Sequence, residues 1–328
     1  MNRLIIVYNP RSSRFSGVKK EVLDKATSLK GYMVGKYEVE KTNVDDNAKK
    51  LAKLLQDGDL VISAGGDATA IIASNAILRS NKSATLAVLP YGNFNDLSRT
   101  LGTKTLEDIL TWMGDAAGGT PAARSRQAST VGETAAAGPI QKLYPLEIYV
   151  DGELFRYATC YTTIGMIAES VEVYDAKKTR RKLKTRFGRF MEAHFGLSIS
   201  RWYFKNRHKK NYLPEFKLNG QTKPKKTSDY IAVNGRYMAR VLKSPDYSRK
   251  PQLFRSQTFR LVSFPRLFRF MATGILYKIS AADTKGDTLE FLEPATIAIQ
   301  TEGEQKIFKD VTKIEIKKSE TPLKVIRA

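Results

Sequence analysis

The chain has one cysteine and two histidines in 328 residues. With Cys160 alone, no internal disulfide can form and no zinc site built from thiolates can be assembled. His194 and His208 both sit in strongly basic stretches, which disfavours a charge-relay hydrolase. Long apolar runs are missing too. No stretch of about 18 uncharged apolar residues occurs, and the first apolar run, Leu4 to Tyr8, is too short for the apolar region of a signal peptide. These absences predict a cytoplasmic protein that does not span a membrane. Trp112 and Trp202, the only tryptophans, fit packing roles.

Acidic residues are also scarce: Asp+Glu number 33 against 55 Lys+Arg, for a formal charge of +22. Solubility alone does not need such an excess, so an anionic partner is implied. Much of it follows residue 176, in Lys177 to Arg189, Arg201 to Lys210 and Lys217 to Lys226. Nucleic acid and an anionic bilayer face both fit, since each presents dense phosphates. No zinc finger, helix-turn-helix or RNA-binding aromatic motif accompanies the charge, so no specific nucleic acid is expected. The stretch 264–277, with Phe264, Arg266, Leu267, Phe268, Arg269 and Phe270, has the mixture of an amphipathic interfacial segment.

The first third alternates between two periodicities. Leu4 to Tyr8, Val34 to Glu40, Leu60 to Ser63 and Thr85 to Leu89 read as buried strands. Between them, helical spacing buries Val18, Val22, Leu23, Ala26 and Leu29, then Ala48, Leu51, Ala52 and Leu55 behind a Thr42 or Asn43 cap, then Thr69 to Leu78. Strand and helix in alternation predict a parallel sheet with helices on both faces. Residues 114–139 turn to Ala, Gly, Ser and Thr and read as a mobile linker. Beyond it strands dominate: Leu146 to Val150, Leu154 to Ile164, Tyr230 to Val233, Thr258 to Val262, Thr296 to Thr301 and Thr312 to Lys317, with Asp151-Gly152 as a tight hairpin. A basic helix is expected near Arg181 to His194. The expected domains are 1–141, α/β and nucleotide-binding, and 142–328, an antiparallel β-sandwich, with a return of the last strand to the first domain left open.

Ligands of open parallel sheets bind at the carboxyl ends of the strands. Two loops there have phosphate-binding character: Gly65-Gly66-Asp67-Ala68-Thr69, and Pro90-Tyr91-Gly92-Asn93-Phe94-Asn95-Asp96. Glycines let backbone N–H groups approach an anion, and the following helix adds its partial positive charge. Either loop alone is equally well explained as a glycine turn with an Asp or Asn helix cap.

Together, and in this order, the motifs resemble the diacylglycerol kinase catalytic family, which includes bacterial lipid kinases, sphingosine kinases and ceramide kinases. Asn9-Pro10 and Ser16-Gly17 match its opening. Residues 65 to 69 match Gly-Gly-Asp-Gly-Thr, with Ala68 for the glycine. Pro90, Gly92, Asn95 and Asp96 match Pro-Leu-Gly-Thr-Gly-Asn-Asp. Ile164-Gly165, Asn234-Gly235 and Glu302-Gly303-Glu304 resemble its later Ile-Gly, Asn-Gly and Asp-Gly-Glu segments.

The resemblance implies a nucleotide-binding α/β domain and a β-sandwich with the site in the cleft between them, ATP as phosphoryl donor, Mg2+, and a lipid hydroxyl as acceptor at a membrane surface. It implies that Gly65, Gly66, Asp67 and Thr69 hold phosphates and magnesium, and that Asn9, Gly92, Asn95 and Asp96 complete the pocket. Glu304 would be the general base, and Glu147 would help Asp67 organise the metal. Asn93, Phe94 and Ile71-Ile72 also depart from the family pattern. Alternatives that stay open are a non-catalytic member that binds nucleotide or lipid, an NAD kinase-like enzyme, and a basic nucleic-acid-binding protein.

Overall fold

The computed structural model describes residues 2–12, 14–27, 29, 31–116, 140–175, 185, 198, 201–202, 205, 213–238, 242–259 and 282–327. The chain divides into two compact units, one of residues 1–143 and 323–328, the other of residues 144–322.

In the first unit the apolar runs form parallel strands β1 (Asn2–Tyr8), β2 (Tyr32–Glu38), β3 (Leu60–Gly65) and β4 (Thr85–Pro90). β1 lies between β2 and β3, and β3 pairs with β4, all in parallel register. Helical segments α1 (Phe15–Val18) and α2 (Asp24–Ala26) flank a π-helical turn over Lys19–Leu23. Then come α3 (Val44–Ala52), α4 (Asp67–Ser80), α5 (Asp96–Leu101) and α6 (Leu106–Ala116). Asn43 caps α3: its side-chain oxygen accepts the Asp46 N–H at 2.8 Å.

Alternate strand residues face opposite ways. Leu4, Ile6, Leu60, Ile62 and Leu89 share a core with Val18, Val22 and Ile109, while Ile5, Val7, Val61 and Val88 are also buried and α4 contacts β3 and β4. Helices therefore cover both faces of the sheet. α6 extends to Ala116, so residues 114–116 are helical rather than linker; residues 117–139 lie outside the described residues. A further strand, β5 (Ile140–Leu143), precedes the second unit.

That second unit is an antiparallel sheet of nine strands: β6 (Leu146–Val150), β7 (Glu153–Ala158), β8 (Tyr161–Gly165), β9 (Phe216–Leu218), β10 (Asp229–Val233), β13 (Phe254–Phe259), β14 (Ala282–Thr284), β15 (Gly286–Thr301) and β16 (Glu304–Lys318). Tyr237–Met238 and Leu242–Lys243, β11 and β12, form a separate small hairpin. Short helices α7 (Met166–Glu169) and α8 (Val171–Asp175) follow β8. Register shifts between Glu290, Ala295 and Ile297 bend the long β15–β16 pair. One core gathers side chains from strands near both ends of the sheet, including Ile148, Phe155, Phe216, Tyr230, Phe254, Ile299 and Ile316, so the sheet folds over on itself.

The run expected as one strand from Leu154 to Ile164 is two, broken at Thr159-Cys160. There the Cys160 carbonyl accepts the N–H groups of Asn234 and Gly235, at 2.7 and 2.8 Å, outside any ladder. Asp151 and Gly152 both have positive φ and join paired residues Val150 and Glu153, the tight hairpin their sequence predicts. Apart from Thr185, the basic helix expected near 181–194 lies outside the described residues, as does the amphipathic stretch 264–277.

The last strand, β17 (Leu323–Ile326), returns to the first unit, parallel to β4 and antiparallel to β5, completing the order β2-β1-β3-β4-β17-β5.

Candidate functional site

Seven of the sequence-predicted residues meet at the carboxyl edge of the first sheet. β3 ends at Gly65, and Gly66 precedes α4. Across the pairing Gly65↔Pro90, the loop after β4 runs alongside, and the Tyr91 N–H donates to the Gly65 carbonyl at 2.9 Å. The two glycine turns abut backbone to backbone: a Cβ on Gly66 would sit 3.1 Å from the Gly92 Cα, and one on Gly92 would overlap the Gly66 Cα. Only glycine at both positions permits this approach.

Asp67 ties the two turns together. Its Oδ1 accepts the Asp96 N–H at 2.7 Å and its Oδ2 the Asn95 N–H at 2.9 Å. Burial pushes its carboxyl above the usual carboxylate range, opposed by those N–H groups and by Arg99. Asn95, left-handed at φ 57°, accepts the Gly92 N–H at 2.7 Å and returns a donor to the Gly92 carbonyl at 2.9 Å. Thr69 and Asp96 are buried beneath these turns; a Cβ on Gly65 would overlap the Thr69 side chain.

Ala68 lies within α4 and is not among the residues of positive φ, so the missing family glycine costs this turn no conformation. Phe94 is half-buried, and its carbonyl accepts from the Arg99 guanidinium at 2.9 Å.

Asn9 stands at the end of β1, next to β3 through the pairing Tyr8↔Ala64. Its side-chain oxygen accepts the Arg11 N–H at 2.9 Å, and Arg11 reaches the carbonyls of Val39 and Glu40, fixing the Asn-Pro loop. In that loop the Ser12 hydroxyl is buried with no hydrogen-bond partner; sequence reasoning missed it, since a lone serine after Asn-Pro gives no signal. The Ser16-Gly17 pair is accounted for by packing. A Cβ on Gly17 would press on the Tyr91 ring at 3.2 Å, while the Tyr91 hydroxyl donates to Glu21 at 2.7 Å.

The other two predicted residues belong to the second unit. Glu302 and Gly303, both at positive φ, form the two-residue turn between β15 and β16, a type I′ signature, and Glu304 pairs with Thr301 just beyond it. Glu302 is buried, its Oε1 accepting the Thr159 hydroxyl at 2.7 Å and the Cys160 N–H. Buried Arg156 donates to the Thr301 hydroxyl at 2.7 Å and the Glu304 carbonyl at 3.1 Å. Asn234 donates to the carbonyls of Thr159 and Tyr144, at 2.8 and 2.9 Å, and accepts from the buried Lys318 ammonium. Glu147, on β6, accepts the Tyr149 hydroxyl at 2.8 Å and lies 3.8 Å from the Lys317 ammonium. Buried Asp229, on β10, accepts the Ile167 N–H at 2.6 Å with Oδ1, and its Oδ2 has no partner; burial raises its carboxyl to about 7.

Among the described residues no group of three or more His, Cys, Asp or Glu could hold a metal ion. Each Asp67 oxygen accepts a backbone N–H group. No helix of the described residues is long and apolar enough to cross a membrane.

Residues 3–123 match the family model of the diacylglycerol kinase catalytic domain. A diacylglycerol kinase of Bacillus subtilis (strain 168) is 37% identical over 112 residues, 34% of this chain and 36% of that protein. One from Staphylococcus saprophyticus is 32% identical over 111 residues, 33% of this chain and 35% of that protein. The chain thus matches about a third of the length of these curated relatives. A crystal structure of a diacylglycerol kinase from Bacillus anthracis str. Sterne aligns over 100% of this chain and 97% of its own, with TM-score 0.64 and 15% identity. At that identity the likeness establishes the fold alone.

Proposed function

We propose, from the match of residues 3–123 to the diacylglycerol kinase catalytic domain model, that the protein is an ATP-dependent lipid kinase whose first unit binds the nucleotide and whose second unit takes the lipid acceptor. The observation that carries this reading is the contact between the turns at Gly66 and Gly92, tied by Asp67. Backbone N–H groups concentrated at a parallel sheet's carboxyl edge, ahead of the 14-residue helix α4, suit a phosphate chain. Asn9 and the Ser12 hydroxyl border the same edge, and Gly65, Thr69, Asn95 and Asp96 shape it. Magnesium enters as part of the substrate, MgATP.

Glu304 is the general base in this reading. Its carboxylate takes the proton of the acceptor hydroxyl as that oxygen bonds to the γ-phosphorus and the bond from phosphorus to the departing ADP oxygen breaks. The net positive charge of +22 supports work at an anionic bilayer face, with the protein peripherally associated.

The test is a radiolabelled ATP assay over a panel of diacylglycerol, sphingoid base, ceramide and polyprenol, with Asp67→Ala and Glu304→Gln beside the wild type. Label should pass to one lipid class with the wild type and to none with either variant. Wild-type protein that labels none of the panel would remove the proposal.

A further inference from the structure

We infer that Glu302 is a positioning residue for Glu304, acting from a fixed point at the Thr159-Cys160 bend. This rests on the reading of Glu304 as the base. Glu302 is in a left-handed conformation, φ 50°, at the first position of a turn that favours Asn, Asp or Gly there. A glutamate gains nothing from that backbone. What it brings is reach: its buried Oε1 accepts both the Thr159 hydroxyl and the Cys160 N–H, 143 and 142 residues away in sequence.

The bend it grips is itself anchored. The Cys160 carbonyl takes the N–H groups of Asn234 and Gly235, and a Cβ on Gly235 would strike the Cys160 Sγ at 2.8 Å. The Asn234 amide nitrogen spans the Thr159 and Tyr144 carbonyls, and its oxygen receives Lys318. Lys318 also donates to the carbonyls of Tyr144 at 2.8 Å and Tyr247 at 2.9 Å, so all three ammonium protons have acceptors. On the other side of the turn, Arg156 holds Thr301 and the Glu304 carbonyl. The backbone bearing Glu304 is thereby held from two sides, and the Glu302 carboxylate is the link between the turn and the Asn234–Lys318 anchor.

The test compares Glu302→Asn, which suits the turn but is too short for the tether, with Glu302→Gln, whose amide oxygen still accepts. Full-length protein is assayed with MgATP and the lipid class that the wild type labels. Glu302→Asn should lower kcat on the order of 10- to 100-fold, leave KM for ATP within about twofold, and displace the acidic limb of the kcat–pH profile. Glu302→Gln should keep most of kcat. Wild-type kcat and pH profile in Glu302→Asn would overturn the inference. Should Glu302→Asn fail to fold, Thr159→Val removes one of the two donors and should lower kcat about threefold; an unchanged rate there overturns it equally. Glu304→Gln at full activity would remove the base and this inference with it. An inactive Glu304→Gln beside a fully active Glu302→Asn removes the inference alone.

Discussion

Asp67 and Glu302 are acidic residues of an early and a late motif, and each accepts backbone N–H from another segment. Asp67 uses both oxygens and joins loops 28 and 29 residues apart, at the ends of neighbouring parallel strands. Glu302 uses one oxygen twice and joins segments 142 and 143 residues apart in an antiparallel sheet. In both places the carboxylate orders a turn. The ordered turn then offers something else: backbone donors in the first unit, the side chain of Glu304 in the second.

The largest expected effect breaks the first half of this comparison. In Gly92→Val the new side chain would occupy the Gly66 Cα, so phosphoryl transfer and ATP binding by calorimetry should both be lost. Next comes a third carboxylate, Asp229, which also accepts a backbone N–H but leaves one buried oxygen unpartnered. Its carboxyl is raised from 3.8 to about 7, so the folded state holds the extra proton between those values. Stability from this group is full below about pH 4 and is lost as pH rises through about 7, a change of up to about 4 kcal/mol. Urea unfolding from pH 4.5 to 8 should show that decline, and Asp229→Asn should flatten it.

Alanine at the two compared positions sharpens the contrast. Asp67→Ala orphans two backbone N–H groups and should cost about 3 kcal/mol in urea unfolding; Glu302→Ala orphans one N–H and one hydroxyl and should cost about 2 kcal/mol. The smallest effect belongs to Ala68→Gly. Restoring the family glycine inside α4 should lower stability by about 0.5 kcal/mol and leave kcat within twofold.

The first sheet was legible because buried parallel strands are continuous apolar runs. Leu60 to Ser63 and Thr85 to Leu89 each fall inside an observed strand, and of the two expected caps, Thr42 and Asn43, it is Asn43 that caps α3. β5 went unread because it spans only four residues, two of them polar or charged, and the return of β17 was left open because its partners lie far away in sequence. The break at Thr159-Cys160 was hidden for a related reason. Residues 154 to 164 have strand propensity throughout, and what stops the ladder is an asparagine and a glutamate from distant segments. At the site, glycine spacing showed where two turns lie but not that they touch. The Asp-Gly-Glu likeness pointed to Glu304, while the work of Glu302 emerged only with its partners.

The return of β17 to the first sheet has a consequence for biosynthesis. Lys324 bonds Ser83 across 241 residues of chain, and Val325 pairs with Leu86 beside it. At ribosomal speeds of about 5–20 residues per second, the flank of β4 emerges roughly ten to fifty seconds before the strand that covers it. Throughout that interval the first unit carries a bare row of amide and carbonyl groups along β4, a natural place for a chaperone to wait.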